Sequence, residues 1–192
     1  NSNISTYELT KIYRQKDAKF IDILSKVRSG NVTDTDLMPL NNKVISENSN
    51  ILYETIILSP TNRKVDSINS VNLQNINSET FSYKSSETGE FKEKPADEVL
   101  ELKVGAQVML IKNDNKFPKR WVNGSIGIVT DLTTNSIHLK IKNKIHKITK
   151  DTWEKFDYII KDGQVLHEVV ATFTQYPIKL AWAVTIHKSQ GQ

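Results

Sequence analysis

Seven residues near the C-terminus, Thr185-Ile186-His187-Lys188-Ser189-Gln190-Gly191, place two hydroxyls, an imidazole, a cation, an amide and a flexible glycine where an apolar run ends. Hydroxyls and backbone N–H groups in such a setting can grip phosphodiester oxygens without reading bases. On residue type alone, a polar, solvated helix end is the plainer account of the same string. A phosphate-binding loop is excluded here. It requires GxxxxGK[ST], so that glycines turn backbone N–H groups toward the phosphates, and no glycine lies in the twenty residues before Lys188-Ser189. Nor does any apolar strand end in paired acidic residues for magnesium. There is no cysteine, and His138, His146, His167 and His187 do not fall at zinc-ligand spacing, so no metal site is expected.

The elements that would position these groups follow from periodicity. Phe20, Ile23, Leu24 and Val27 form one apolar stripe and predict a helix over 17–30, with Asp17 as N-cap and Gly30 as the stop. Residues 31–50 are polar and read as loop with a short helix. The run 55–59 reads as a buried strand ending at Pro60; Thr61 then caps a helix to about residue 72, with Val65 and Ile68 on its inner face. From about 76 the character changes. The polar stretch 78–91 is hairpin-like, and strand signals at 107–112, 126–131, 137–141, 144–149 and 169–174 predict a small SH3-like or OB-like barrel. Asn123-Gly124 marks one turn. In 176–192 Leu180, Ala183, Val184 and His187 share helical spacing. The chain stops at Gly191-Gln192 within a structured motif, which reads as a piece of a longer protein.

Composition narrows the classes. The 192 residues, 38% hydrophobic, can bury a core, and the net charge of +4 permits a polyanionic partner without requiring one. No apolar run reaches membrane-spanning length, and no signal peptide is visible, so an intracellular, cytoplasmic protein is expected. His138, Lys140 and Lys142 alternate with Ile137, Leu139 and Ile141. That permits a phosphate-tracking groove, but a solvated strand face over a core is the plainer account. Trp121 and Trp153 could stack on bases, although large aromatics in a small barrel usually fill its core.

The string AWAVTIHKSQG, preceded by Gln175, Pro177 and Leu180, resembles the fifth motif of superfamily-one DNA helicases, most closely the RecD, Dda and Pif-type 5′-to-3′ branch. Three further segments resemble that family in its order. Residues 9–30 are similar to the fourth motif and its helix, and 56–69 to a strand, turn and helix that touch single-stranded DNA. Residues 102–113 with 121–129 are similar to the barrel inserted in the second motor domain. The resemblance implies an α/β fold: a partial RecA-like second motor domain, residues 1–75 and 175–192, interrupted by an all-β SH3-like barrel at 76–174. It implies that Arg14 reaches the γ-phosphate of ATP held by the first motor domain, with Gln15 beside it. Thr61, Asn62, Thr185, His187 and Ser189 would face the DNA backbone, and Gln190 and Gly191 would link that grip to the nucleotide state. ATP and Mg2+ in the full-length protein, single-stranded DNA, the first motor domain and a nucleoid location are implied with it. The chain alone, lacking a phosphate loop, is expected to be inactive. Two rival readings remain: a stand-alone single-stranded nucleic-acid-binding module without a motor, and a protein-docking domain.

Overall fold

The computed structural model describes residues 6–7, 15–44, 55–161 and 164–189. The chain forms two compact units, one over 1–51 and a larger one over 52–190. In the first, α1 (Ala18–Ser29) starts where the Asp17 carboxylate accepts from the backbone N–H groups of Lys19 and Phe20, at 2.9 and 3.2 Å. It ends at Gly30, whose φ of 72° admits the left-handed turn that closes the helix. Helix α2 (Asp34–Asn41) opens with a reciprocal capping box between Thr33 and Asp36. Lys26 joins the two helices, sitting 2.9 Å from Asp22 and 2.7 Å from Asp36. The bond to Lys26, supported by Thr33, lowers the Asp36 pKa to about 2.

The larger unit begins with β1 (Ile57–Ser59) and α3 (Asn62–Asn75). Helix α3 buries Val65, Asn69 and Leu73, so its inward stripe includes an asparagine, while Ile68 is only half-buried. Then come β2 (Phe81–Lys84), β3 (Ser86–Thr88), β4 (Val99–Leu102), β5 (Gln107–Leu110), β6 (Ile126–Thr133), β7 (Ser136–Ile141) and β8 (Lys144–Ile148). The chain continues with β9 (Asp151–Lys161), β10 (Gln164–Gln175), β11 (Ile178–Leu180), β12 (Ala183–Thr185) and the short α4 (Ile186–Ser189). The fold is thus mixed α/β and mostly strand.

Three sequence expectations need correction. The stretch over 78–91 is not a hairpin: β2 pairs with β4, and β3 with β10. The five-stranded antiparallel sheet runs β11-β5-β6-β7-β8, so its fifth strand is β11, while 169–174 belongs to a three-stranded sheet β3-β10-β9. The five-stranded sheet keeps β11 and β8 as edges among the described residues and does not close by hydrogen bonding. Finally, 178–180 and 183–185 are strands, and only 186–189 is helical. Leu180, Ala183 and Val184 have helical spacing, but pairing with β5 and β1 decides their conformation.

The main core gathers Leu100 and Leu102 of β4, Val108 and Leu110 of β5, Ile137 and Leu139 of β7, and Trp121, all buried. On β7 the apolar residues point in and Lys140 points out, while His138 is half-buried with Nδ1 3.2 Å from Asp131. Trp121 therefore fills the core as expected of a barrel aromatic. Trp153 is half-buried, its ring 5.1 Å from the Lys112 ammonium.

One ion pair fixes the loop between β5 and β6. Asp114, 5% exposed, accepts from Arg120 Nε at 2.7 Å and Nη2 at 2.8 Å, and from the Arg120 backbone N–H at 2.9 Å. The guanidinium holds this carboxyl well below the usual carboxylate range. A depressed folded pKa stabilises the fold above the unfolded value near 4, and that contribution disappears as pH falls through the folded value. Asp114→Asn is therefore expected to melt earlier than the parent chain at pH 7, with the difference shrinking between pH 4 and pH 2. Circular-dichroism melts across that range check it; a difference independent of pH would contradict the ion pair's role.

Candidate nucleic-acid interface

Strands β1 and β12 pair in parallel, with Ile57 opposite Ala183, Leu58 opposite Val184 and Ser59 opposite Thr185. Both strands therefore run out at one edge. There β1 passes through Pro60 to Thr61 and α3, and β12 passes directly into α4. In open α/β sheets this carboxyl edge is where ligands bind. Thr61 is exposed and caps α3, its Oγ1 accepting from the Lys64 N–H at 3.4 Å. Asn62, also exposed, is the first residue of α3. Thr185 is 8% exposed, and His187 is exposed on α4. Ser189 ends α4. Gln15 lies exposed in the other unit, two residues before the α1 N-cap. Arg14, Gln190 and Gly191 lie outside the described residues.

Sequence reasoning passed over several residues that build this edge. Asn69 of α3, 7% exposed, donates from Nδ2 to the Ala183 carbonyl at 3.0 Å and accepts the Ala183 N–H at Oδ1 at 2.9 Å. One side-chain amide thus imitates a neighbouring strand and fastens β12 to α3. Gln107 of β5 donates to the carbonyls of Thr55, at 3.1 Å, and Ala181, at 3.0 Å, tying the five-stranded sheet to the segments that enter β1 and β12. Gln175, fully buried, donates to the carbonyls of Tyr83 and Asp97 and accepts the Tyr176 N–H. A buried amide with all partners in place fixes backbone geometry at little net cost. An asparagine on the apolar stripe of α3 was the visible signal for the first of these.

The charge at the start of α3 is also informative. No acidic residue occupies its first turn; Arg63 and Lys64 follow Asn62 there, both exposed. Helix N-termini carry partial positive charge and ordinarily attract carboxylates, so two cations at that end favour an external anion. A groove of about 390 Å³ opens beside it, with Asn62 and Thr185 in its wall. Asp66, Asp97 and Glu101 also line that groove. Lys179 lines it too, so three carboxylates outnumber one cation there, whereas Arg63 and Lys64 follow Asn62 in the first turn of α3. Among the described residues no group of three or more histidine or acidic side chains could hold a metal ion, and no helix is long and apolar enough to cross a membrane.

Comparison with known proteins places the chain. Residues 92–132 match the family described as DNA helicase Pif1, 2B domain. The ATP-dependent DNA helicase Pif1 of Bdellovibrio bacteriovorus is 32% identical over 99% of this chain and 43% of its own length. The ATP-dependent DNA helicase PIF1 of Xenopus laevis is 31% identical over 97% of the chain and 29% of its own length. Among solved structures, Bacteroides sp. Pif1 in complex with ADP-AlF4 superimposes with a TM-score of 0.81 at 36% identity, covering 95% of this chain and 43% of that one. Bacteroides Pif1 bound to ssDNA gives 0.70 at 36% identity over 96% of this chain and 43% of that one. The chain spans less than half the length of these relatives.

Proposed function

We propose, on the premise that this chain belongs to the Pif1-type helicase family, that it supplies the DNA-holding half of an ATP-driven motor. In this reading the whole protein steps along single-stranded DNA and unwinds duplex. Residues 1–75 and 175–192 are parts of the second motor domain, and 76–174 is the inserted barrel. The observation that carries it is the parallel β1–β12 pair. It brings Thr61 and Asn62 to the same edge as Thr185 and His187, although the whole barrel segment lies between them in sequence.

Side chains at that edge hold phosphate oxygens rather than bases, which suits movement independent of sequence. The Thr61 hydroxyl and the N–H groups of the first turn of α3 meet one phosphate, helped by Arg63 and Lys64. Thr185 and the start of α4, with Ser189, meet the next. By the same likeness, Arg14 and Gln15 would serve a nucleotide with Mg2+ held by the first motor domain, and Gln190 and Gly191 would couple the DNA grip to the state of that nucleotide. Bound there, the nucleotide supplies a transferable γ-phosphoryl group; a permanently charged guanidinium such as Arg14 stabilises negative charge developing on it. The chain by itself contains no phosphate loop and is proposed not to hydrolyse ATP. The parent protein would work at the chromosome, in the cytoplasm. A stand-alone nucleic-acid-binding module remains the alternative, but it gives no reason for likeness to helicases along 1–75.

The test is fluorescence anisotropy of a labelled deoxythymidine oligonucleotide with the 192-residue chain. Binding is expected to be weak and to fall as salt rises. Thr61→Ala should weaken it about tenfold, the worth of one hydrogen bond to a charged group. Because Thr185 is buried, Thr185→Ser, which keeps the hydroxyl, is the control for Thr185→Ala. Unchanged affinity in both alanine variants would mean that the strand does not cross this edge.

A further inference from the structure

A second cationic site lies on the barrel segment, away from the β1–β12 edge. The loop joining β5 to β6 and the turn joining β7 to β8 enclose a groove of about 410 Å³. Its polar wall comes from Lys119, Arg120, Lys142, Asn143, Lys144 and His146, and no carboxylate lines it. Lys119, Lys142 and Lys144 are exposed, and none of them forms an ion pair among the described residues. Arg120 is held in place from two sides, by Asp114 and by the Trp121 ring, whose centroid lies 4.1 Å from the guanidinium carbon. Trp121 in turn meets His146 edge-on at 5.8 Å. The groove therefore combines a fixed guanidinium with exposed ammonium groups, an arrangement that favours a polyanion.

Two features refine the ligand. Phe117, at the loop's tip between Lys116 and Pro118, is 97% exposed. An aromatic ring left fully in water beside a cationic groove is suited to stacking on an unpaired base. Lys142 takes the first position of the two-residue turn between Ile141 and Lys144, with φ at 54°. Glycine or asparagine occupies that conformation with less strain. A lysine there sacrifices local stability to place charge at the groove, and such outliers cluster at ligand sites.

We propose that this groove is a second binding site for single-stranded DNA: Lys119, Lys142 and Lys144 hold the phosphodiester backbone, and Phe117 stacks on a base. The site goes beyond the proposed motor edge and does not depend on Thr61 or Thr185. It also gives the two lysines at the β7–β8 turn, Lys142 and Lys144, a task that the motor edge does not.

Lys142→Gly separates function from folding. Its melting midpoint should equal or exceed that of the parent chain, because strain is relieved, while affinity for a deoxythymidine oligonucleotide falls about threefold. The double variant Lys142→Gly, Lys144→Gln should reduce the log–log salt slope by about 1.4, the counterion release of two single-strand phosphate contacts. Phe117→Ala should weaken binding at least about fivefold. An oligonucleotide carrying one 5-iodouracil should photocrosslink to the 116–120 segment, and should still do so in Thr61→Ala. Crosslinks at 116–120 without any at 61–62 or 185–187 would count against the motor edge and support this groove. Unchanged affinity and slope in the double variant, no crosslink at 116–120, or displacement of the oligonucleotide from the loop by blunt duplex at lower concentration than by single strand would overturn it.

Discussion

Replacing Arg14 by alanine in the full-length protein is expected to lower DNA-stimulated ATP hydrolysis by about a thousandfold, with affinity for single-stranded DNA nearly unchanged. The magnitude is that of an arginine finger, which contributes about 10³–10⁵ to phosphoryl-transfer rates. The reason is geometric as well as electrostatic. A guanidinium is planar, permanently charged and able to donate two parallel hydrogen bonds to neighbouring phosphate oxygens. Arg14→Lys should therefore recover little of the loss, since an ammonium offers charge without the fork. The assignment follows from the likeness of residues 9–30 to the family's fourth motif, and Arg14 itself precedes the described start of that segment. Steady-state phosphate release with and without oligonucleotide measures the effect. A rate within about tenfold of the parent protein would remove Arg14 from the transition state.

The second large effect is on stability. Asn69→Ala is expected to destabilise the larger unit by about 2–4 kcal/mol, because it removes two buried hydrogen bonds and leaves the N–H and C=O of Ala183 without partners. The consequence reaches the proposed DNA edge. Asn69 is the side chain by which α3, with Thr61 and Asn62 at its head, grips β12, with Thr185 at its end. Asn69→Asp should be no better: it loses the donor and buries a charge beside a carbonyl. Urea unfolding gives the free energy, and oligonucleotide affinity measured below the transition should fall in the same variants. A loss under about 1 kcal/mol would mean that α3 and β12 are held together by other contacts.

How far the sequence revealed this molecule depended on where each residue's partners lie. Helix α1 was legible because Asp17, the stripe of Phe20, Ile23, Leu24 and Val27, and Gly30 all act within one short stretch. The inward Ile137, Leu139 and Ile141 of β7 were legible for the same reason, as was the turn at Asn123-Gly124. The segment 176–185 was misread because two apolar residues three or four apart suit a helix as well as two strands. Its conformation is set by β5 and β1, far away in sequence, and periodicity carries no information about them. The strands β2 and β3 were joined wrongly into a hairpin for the same reason. The long strand β9 was missed although Asp162-Gly163, a strong two-residue turn signal, stands between it and β10.

The candidate site shows the same division. Motif likeness singled out Thr61, Asn62, Thr185 and His187, and the parallel register of β1 and β12 explains why they share an edge. Asn69, Gln107 and Gln175 escaped notice because a buried amide has no sequence signature apart from its place on an apolar face. Arg63 and Lys64 had a readable one, two cations in the first turn after a threonine cap, where acidic residues are the rule.

Backbone amide NMR of the 192-residue chain, titrated with a deoxythymidine oligonucleotide at low and then high salt, tests the central claim most directly. The account predicts that the amides of Asn62 to Lys64 and of Thr185 to His187 shift together at one apparent affinity, and that the shifts disappear as salt is raised. Shifts confined to the five-stranded sheet, with the ends of β1 and β12 silent, would contradict it.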